Sequence, residues 1–153
     1  MNGQFQPRFF SASEFQIITS AIDVLIPEQG RLLQPQEVAQ RADIFLQSVE
    51  APNKDNIRTA LFVLDHIFPV ILLHLEPFTE MTRPERRELL EKLMHFHGLF
   101  HGLRDVVRLL KLLGTFNYYT DSKVRNAIGY VEFDLRPRSQ GADQTPAVYP
   151  PPQ

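Results

Sequence analysis

The sequence predicts an all-α fold, a single bundle of five or six helices with an extended Pro-rich C-terminal tail. Three observations carry this. Apolar residues recur at spacings of three and four along most of the chain. Two Ser/Thr-x-x-Glu capping boxes, Ser11 to Glu14 and Thr82 to Glu85, stand just before such runs. The longest alternating stretch, Tyr130-Val-Glu-Phe-Asp-Leu135, has no second strand to pair with.

The first helix is predicted over roughly residues 12–26. Ser11 caps it, Phe10 and Phe15 occupy the hydrophobic-staple positions, and Phe15, Ile18, Ile22 and Leu25 line one face. Pro27 and Gly30 end it. Pro35 opens the second helix, since a first-turn proline forfeits no hydrogen bond. Val38, Ala42, Phe45, Leu46 and Val49 make its apolar face. Ala51-Pro52-Asn53 breaks it, and Asn53 or Asp55 caps the third.

The third helix carries Ile57, Leu61, Leu64, Phe68, Leu72 and Leu75, with Phe62, Val63, Ile67 and Ile71 on other faces. A helix apolar nearly all round is expected at the centre of its domain. Pro69 lacks an N–H and crowds the carbonyl of Asp65, so a kink or break is expected between them. Pro84 fits the first turn of the next helix, whose apolar face is Leu89, Leu90, Leu93 and Met94. Gly98 or Gly102 marks a junction or a close backbone approach before the run Leu103 to Leu113, which Gly114 is expected to end. Thr120-Asp-Ser caps a short last helix closed by Gly129. From Arg136 the chain turns Pro-, Gln- and Ser-rich, and five of its twelve prolines fall in residues 137–153, so this part is expected to be extended or disordered when free. The organisation read from this is an N-terminal arm (1–10), a helical domain (11–130) and a tail (131–153).

Composition narrows the function. A chain of 153 residues suits one domain. Without cysteine it holds no disulfide, thiolate zinc site, iron–sulfur cluster, c-type haem or catalytic thiol. A net charge of −2 argues against nucleic acid as a partner. Residues 1–80 carry 5 basic and 10 acidic groups, while residues 81–153 carry 11 and 8, an asymmetry able to steer a partner or simply to solvate two faces. The most apolar stretch, IFPVILLHL, is far short of the about 20 residues a membrane span needs. The first residues, MNGQFQPRFF, show neither a Sec pattern nor a twin arginine.

Groups placed for chemistry are few. His97 and His101 share a face on a continuous helix, with Asp105 extending the stripe. They are candidate metal or haem ligands, without an HExxH motif and without a third ligand at a telling spacing. The competing reading is partly buried or interfacial histidines with local hydrogen bonds. His66 follows Asp65, and neighbours on a regular helix face different ways, so the two are not expected to act as a dyad. No GxSxG, GxGxxG or GxxxxGK[ST] is present. Glu85, Glu88 and Glu91 with Arg86, Arg87 and Lys92 read as a solvated face, leaving no catalytic carboxylate pair to single out. This poverty favours a non-catalytic role.

Aromatic residues crowd the end of the helical domain: Phe116, Tyr118, Tyr119 and Tyr130, with Phe133 just beyond and Asp121 in the turn. Two readings stand. The rings plug the end of the bundle while Asp121 caps a helix, or several of them face a partner, where tyrosine offers a large area with few rotors and a polar tip.

The segment YYTDSKVRNAIGY resembles the C-terminal signature of the gluconate 2-dehydrogenase subunit 3 family. FSASEFQIITSAIDVLIP is similar to that family's first helix, with Asp23 before Leu25-Ile26-Pro27. Met81-Thr-Arg-Pro-Glu-Arg86 resembles its Leu-Thr/Ser-x-x-Glu-Arg helix start, with Met81 in place of leucine. The likeness spans about residues 9–130. It implies a small helical accessory subunit that binds a larger flavoprotein dehydrogenase of the glucose–methanol–choline type, which oxidises sugars, sugar acids or alcohols. The FAD and the catalytic histidine then lie on the large subunit, and no catalytic residue carries over to this chain. Many members begin with a twin-arginine signal. This chain departs from that pattern at its start, which leaves the compartment open: cytoplasmic as written, periplasmic if it is exported with its partner or if a signal was trimmed. Two alternatives stay open: a stand-alone metal or haem binder using His97 and His101 with Asp105 or His66, and a regulatory bundle with an unrelated partner.

Overall fold

The computed structural model describes residues 5–48, 51–95 and 101–130, the side chains of 51–53 and 101–103 excepted. These residues are helical with no strand among them: α1 (Ala12–Leu25), α2 (Pro35–Gln47), α3 (Ala51–Phe62), a π-turn (Val63–Ile67) running into α4 (Phe68–Ile71), α5 (Arg83–His95), α6 (His101–Tyr119) and α7 (Ser122–Ala127). Taking the unbroken run from α3 to α4 as one, the described residues form six helices. No helix among them is long and apolar enough to cross a membrane.

Local signals place the ends of α1. The Ser11 hydroxyl accepts from the Glu14 N–H at 3.2 Å, and the Glu14 carboxylate accepts from the Ser11 N–H at 2.7 Å. Gly30 supplies the left-handed φ of +76° that turns the chain after it. At α5 the box is altered. Glu85 accepts both the Thr82 N–H (2.8 Å) and the Thr82 hydroxyl (2.6 Å). These bonds, the hydroxyl first, hold the Glu85 carboxyl below its ordinary value of 4.5.

The hub of the bundle is α1, not the third helix. Ile18, Ala21 and Ile22 are fully buried, and α1 packs against α2, α3, α5 and α6. The run from α3 to α4 buries Leu61, Leu64 and Phe68 but leaves Phe62, Ile67, Val70 and Ile71 exposed. Its all-round apolarity therefore reflects a second face left in solvent. Gly114 does not end α6, which continues to Tyr119. A Cβ there would stand 3.4 Å from Ile22 Cγ1, so this glycine lets α6 close on α1. Asn53 and Asp55 lie inside α3 instead of capping it, because the helix begins at Ala51 with Pro52 tolerated in its first turn.

Phe9 and Phe10 of the expected arm belong to the core. Phe9 and Phe10 are buried, and the N–H groups of Arg8, Phe9 and Phe10 all donate to the buried Asp43 carboxylate, at 3.0, 3.0 and 2.9 Å. Asp43 thus staples the start of the chain to α2. The Tyr130–Leu135 strand from residue 131 onward, Val49, Gly98 and the tail lie outside the described residues.

The expected break near Pro69 is a π-turn. Phe68 N–H bonds back five residues to the Val63 carbonyl. With no N–H on Pro69, the Asp65 carbonyl accepts from Phe78 N–H instead (3.1 Å), while Asp65 Oδ1 accepts from Thr79 N–H (2.9 Å). The run then stops in a Schellman motif: Leu73 N–H bonds to the Val70 carbonyl (3.1 Å) and His74 N–H to that of Pro69 (2.8 Å).

Candidate docking surface

The segment from Leu112 to Tyr130 forms the end of α6, a tight turn and α7. Asp121 makes the turn. It is buried, caps α7 by accepting the Lys123 N–H at 2.7 Å, and ion-pairs with Arg41 of α2. Tyr118 is only 7% exposed, and its hydroxyl accepts the Leu32 N–H at 3.1 Å, tying α6 to the loop between α1 and α2. Gly129 closes α7 with a φ of +71°, and Tyr130 N–H reaches the Arg125 carbonyl at 2.9 Å.

The six candidate partner-binding residues therefore divide. Tyr118 and Asp121 are used inside the molecule, because burying a phenol and a carboxylate needs the partners that Leu32, Lys123 and Arg41 supply. Phe116, Tyr119 and Tyr130 are about half exposed, at 46%, 51% and 55%. Phe133 lies outside the described residues.

The exposed rings are not alone. Leu112, Phe116 and Tyr119 follow one another at four and three residues, so they share a stripe of α6 turned away from the buried Val107, Leu110 and Leu113. Phe45 of α2 meets this stripe, its ring centroid 5.2 Å from that of Phe116. Tyr119 packs edge-on against Tyr118, at 5.2 Å and 89°. The result is an aromatic surface over α2 and α6 whose base is held by buried polar bonds. Sequence reasoning assigned Phe45 to the core face. The signal against that was its neighbour Leu46: consecutive helical residues lie about 100° apart, and Leu46 takes the buried position.

The histidines do not assemble a metal centre among the described residues, where no group of three His, Asp or Glu side chains is placed to hold one. His97 lies outside those residues; His101 opens α6 with its side chain undescribed. Asp105 pairs with Arg108 at 3.3 Å. His66 Nδ1 stands 3.5 Å from Asp65 Oδ2, nearer than the different faces expected of neighbours on a regular helix. The π-turn changes the helical pitch at these two residues, so neighbours that a regular helix would turn apart come together. The ring of His66 also stacks on Phe62 at 4.8 Å.

The charged face of α5 forms as read, with Arg87 to Glu91 at 2.9 Å and Lys92 to Glu88 at 2.7 Å. Arg86 turns inward instead and donates to the carbonyls of Met81 and Ser20. Arg31 and Arg83 converge on Asp23, the acidic residue before Leu25-Ile26-Pro27, and so fasten the end of α1. No protein-family model, curated protein or solved structure matches this chain.

Proposed function

We propose that this chain is a non-catalytic small subunit that binds and stabilises a larger FAD-dependent dehydrogenase of the glucose–methanol–choline type. The observation that carries the reading is the exposed surface of Phe45, Leu112, Phe116 and Tyr119. Contiguous aromatic area of this kind is typical of the core of a protein–protein contact, and rings lose little rotamer freedom when covered. Of these four residues Tyr119 belongs to YYTDSKVRNAIGY, one of the segments that carry the family resemblance, while Leu112 and Phe116 precede it on the same helix. The buried carboxylates support the same reading, since Asp43, Asp65 and Asp121 each accept backbone N–H bonds within the bundle.

The mechanism is mass action. A subunit that binds only the folded, flavin-loaded partner shifts that partner's folding equilibrium by its own binding free energy. The flavin and the reacting groups belong to the large subunit.

Co-expression with a glucose–methanol–choline flavoprotein encoded beside this chain tests the reading. The two are expected to elute together, with higher flavin occupancy in the large subunit than when it is made alone. Separate elution with unchanged flavin content and activity overturns it.

A further inference from the structure

At the far end of the α3–α4 run, Leu73 has a φ of +61°, the left-handed conformation. It occupies the Schellman position where glycine is the usual residue, because a Cβ there crowds the backbone. Its side chain is 90% exposed, so no burial offsets the strain, and Leu75 beside it is fully exposed. Val70 adds a third exposed apolar group one turn back. Strain retained for an uncovered side chain points to a role outside the folded monomer.

The surrounding charge says what covers it. Glu76 follows Leu75, Glu80 lies in the same loop, and neither has a cationic partner among the described residues. His74 sits close enough to Glu85 and Glu88 for its charge to act on both, after the larger effects of Thr82 on Glu85 and Lys92 on Glu88. The cations of α5 are engaged elsewhere: Arg83 with Asp23 and Glu28, Arg86 with backbone carbonyls, Arg87 with Glu91. The unpaired carboxylates of this loop, Glu76 and Glu80, disfavour an anionic lipid surface, and a twofold contact with a second copy would set carboxylate against carboxylate. The tail, with three acidic and two basic residues over 131–153, carries no net positive charge to complement these carboxylates.

We propose that Val70, Leu73 and Leu75 form a second docking element, a knob that seats in an apolar socket rimmed by Lys or Arg on a protein partner. This rests on the function proposed above, the partner being the same large subunit engaged at a second point.

The test is co-expression of the full-length chain, wild type or variant, with the tagged flavoprotein. L73G and L75S are expected to lower the co-eluting chain at least about tenfold, as for loss of a contact hot spot. The Tm of L73G alone is expected to hold or rise, since glycine suits that backbone; this separates lost docking from lost folding. A charge variant, E76K with E80K, is expected to weaken capture and to remove its sensitivity to salt. If L73G and L75S are captured like wild type while Phe116→Ser is not, the knob is overturned and the proposed function stands. If wild type itself is not captured, both fall. Dimerisation lost in L73G, or flotation with phosphatidylcholine or phosphatidylserine vesicles lost in L73G, also overturns the proposal by assigning the knob another occupant.

Discussion

The aromatic surface at the end of α6 and the leucine corner after α4 both hold large apolar side chains in solvent, but they are built in opposite ways. The aromatic end sits on satisfied polar groups. Asp121 caps α7 and pairs with Arg41, and the Tyr118 hydroxyl holds the Leu32 N–H. Its exposed rings pack on one another, Phe45 on Phe116 and Tyr119 on Tyr118. The corner is held by the backbone bonds of its own Schellman turn, from Leu73 and His74, and below it by Asp65, which accepts from Phe78 and Thr79 of the following loop. Its leucines touch little, and the backbone at Leu73 is strained. One surface is rigid because it is integrated with the core; the other is presented by a local backbone geometry that costs stability. Mutations should therefore act with opposite sign at the two ends.

The largest effect is expected at the aromatic end. Asp121→Ala removes a helix cap and leaves Arg41 without its buried carboxylate. A loss of about 2–3 kcal/mol follows, read as a fall of about 5–10 °C in Tm by calorimetry. A fall of under about 1 °C would mean that the turn does not depend on the cap. At the corner, Leu73→Gly should instead raise stability by about 1 kcal/mol in urea titration, with an unchanged m-value. A loss of similar size would show that Leu73 is packed and would erase the contrast. Tyr118→Phe deletes one hydrogen bond to a half-exposed loop and should cost about 0.5–1 kcal/mol. A cost near zero would mean that water replaces the hydroxyl.

The smallest effect is a pH dependence at the start of α5, beside the corner. The Glu85 carboxyl is held below its ordinary 4.5 by the Thr82 bonds. A depressed folded-state value stabilises above the unfolded value and is lost as pH falls through the folded one. The Tm of wild type should therefore decline more steeply with acidification below pH 4.5 than that of Glu85→Gln. Parallel acid limbs would remove Glu85 from the account.

Much of the helix pattern was legible because its signals act over a few residues. Ser11 with Glu14, Pro35 and Asp121 with Gly129 mark ends by hydrogen bonds or backbone limits that no distant residue is needed to complete. Pro69 announced a disturbance at Asp65 by the same logic, though not its form. Gly114 misled because glycine carries two meanings, a chain end and a close approach, and only the position of Ile22 selects between them. The docking surface was half legible. The aromatic cluster stood in the sequence, but whether Tyr118 or Tyr119 faced inward depended on where the Leu32 N–H came to lie.

By itself, the sequence determined that this protein is helical and where most of its helices start and stop, because caps, prolines and period-3.6 patterning are local physics. Tertiary structure decided that α1 and not the third helix is the hub, which rings meet solvent, and that Asp65 and His66 stand together. Those outcomes turn on which face of one helix another helix covers. A helix apolar on two faces has two equivalent answers until its neighbours are in place.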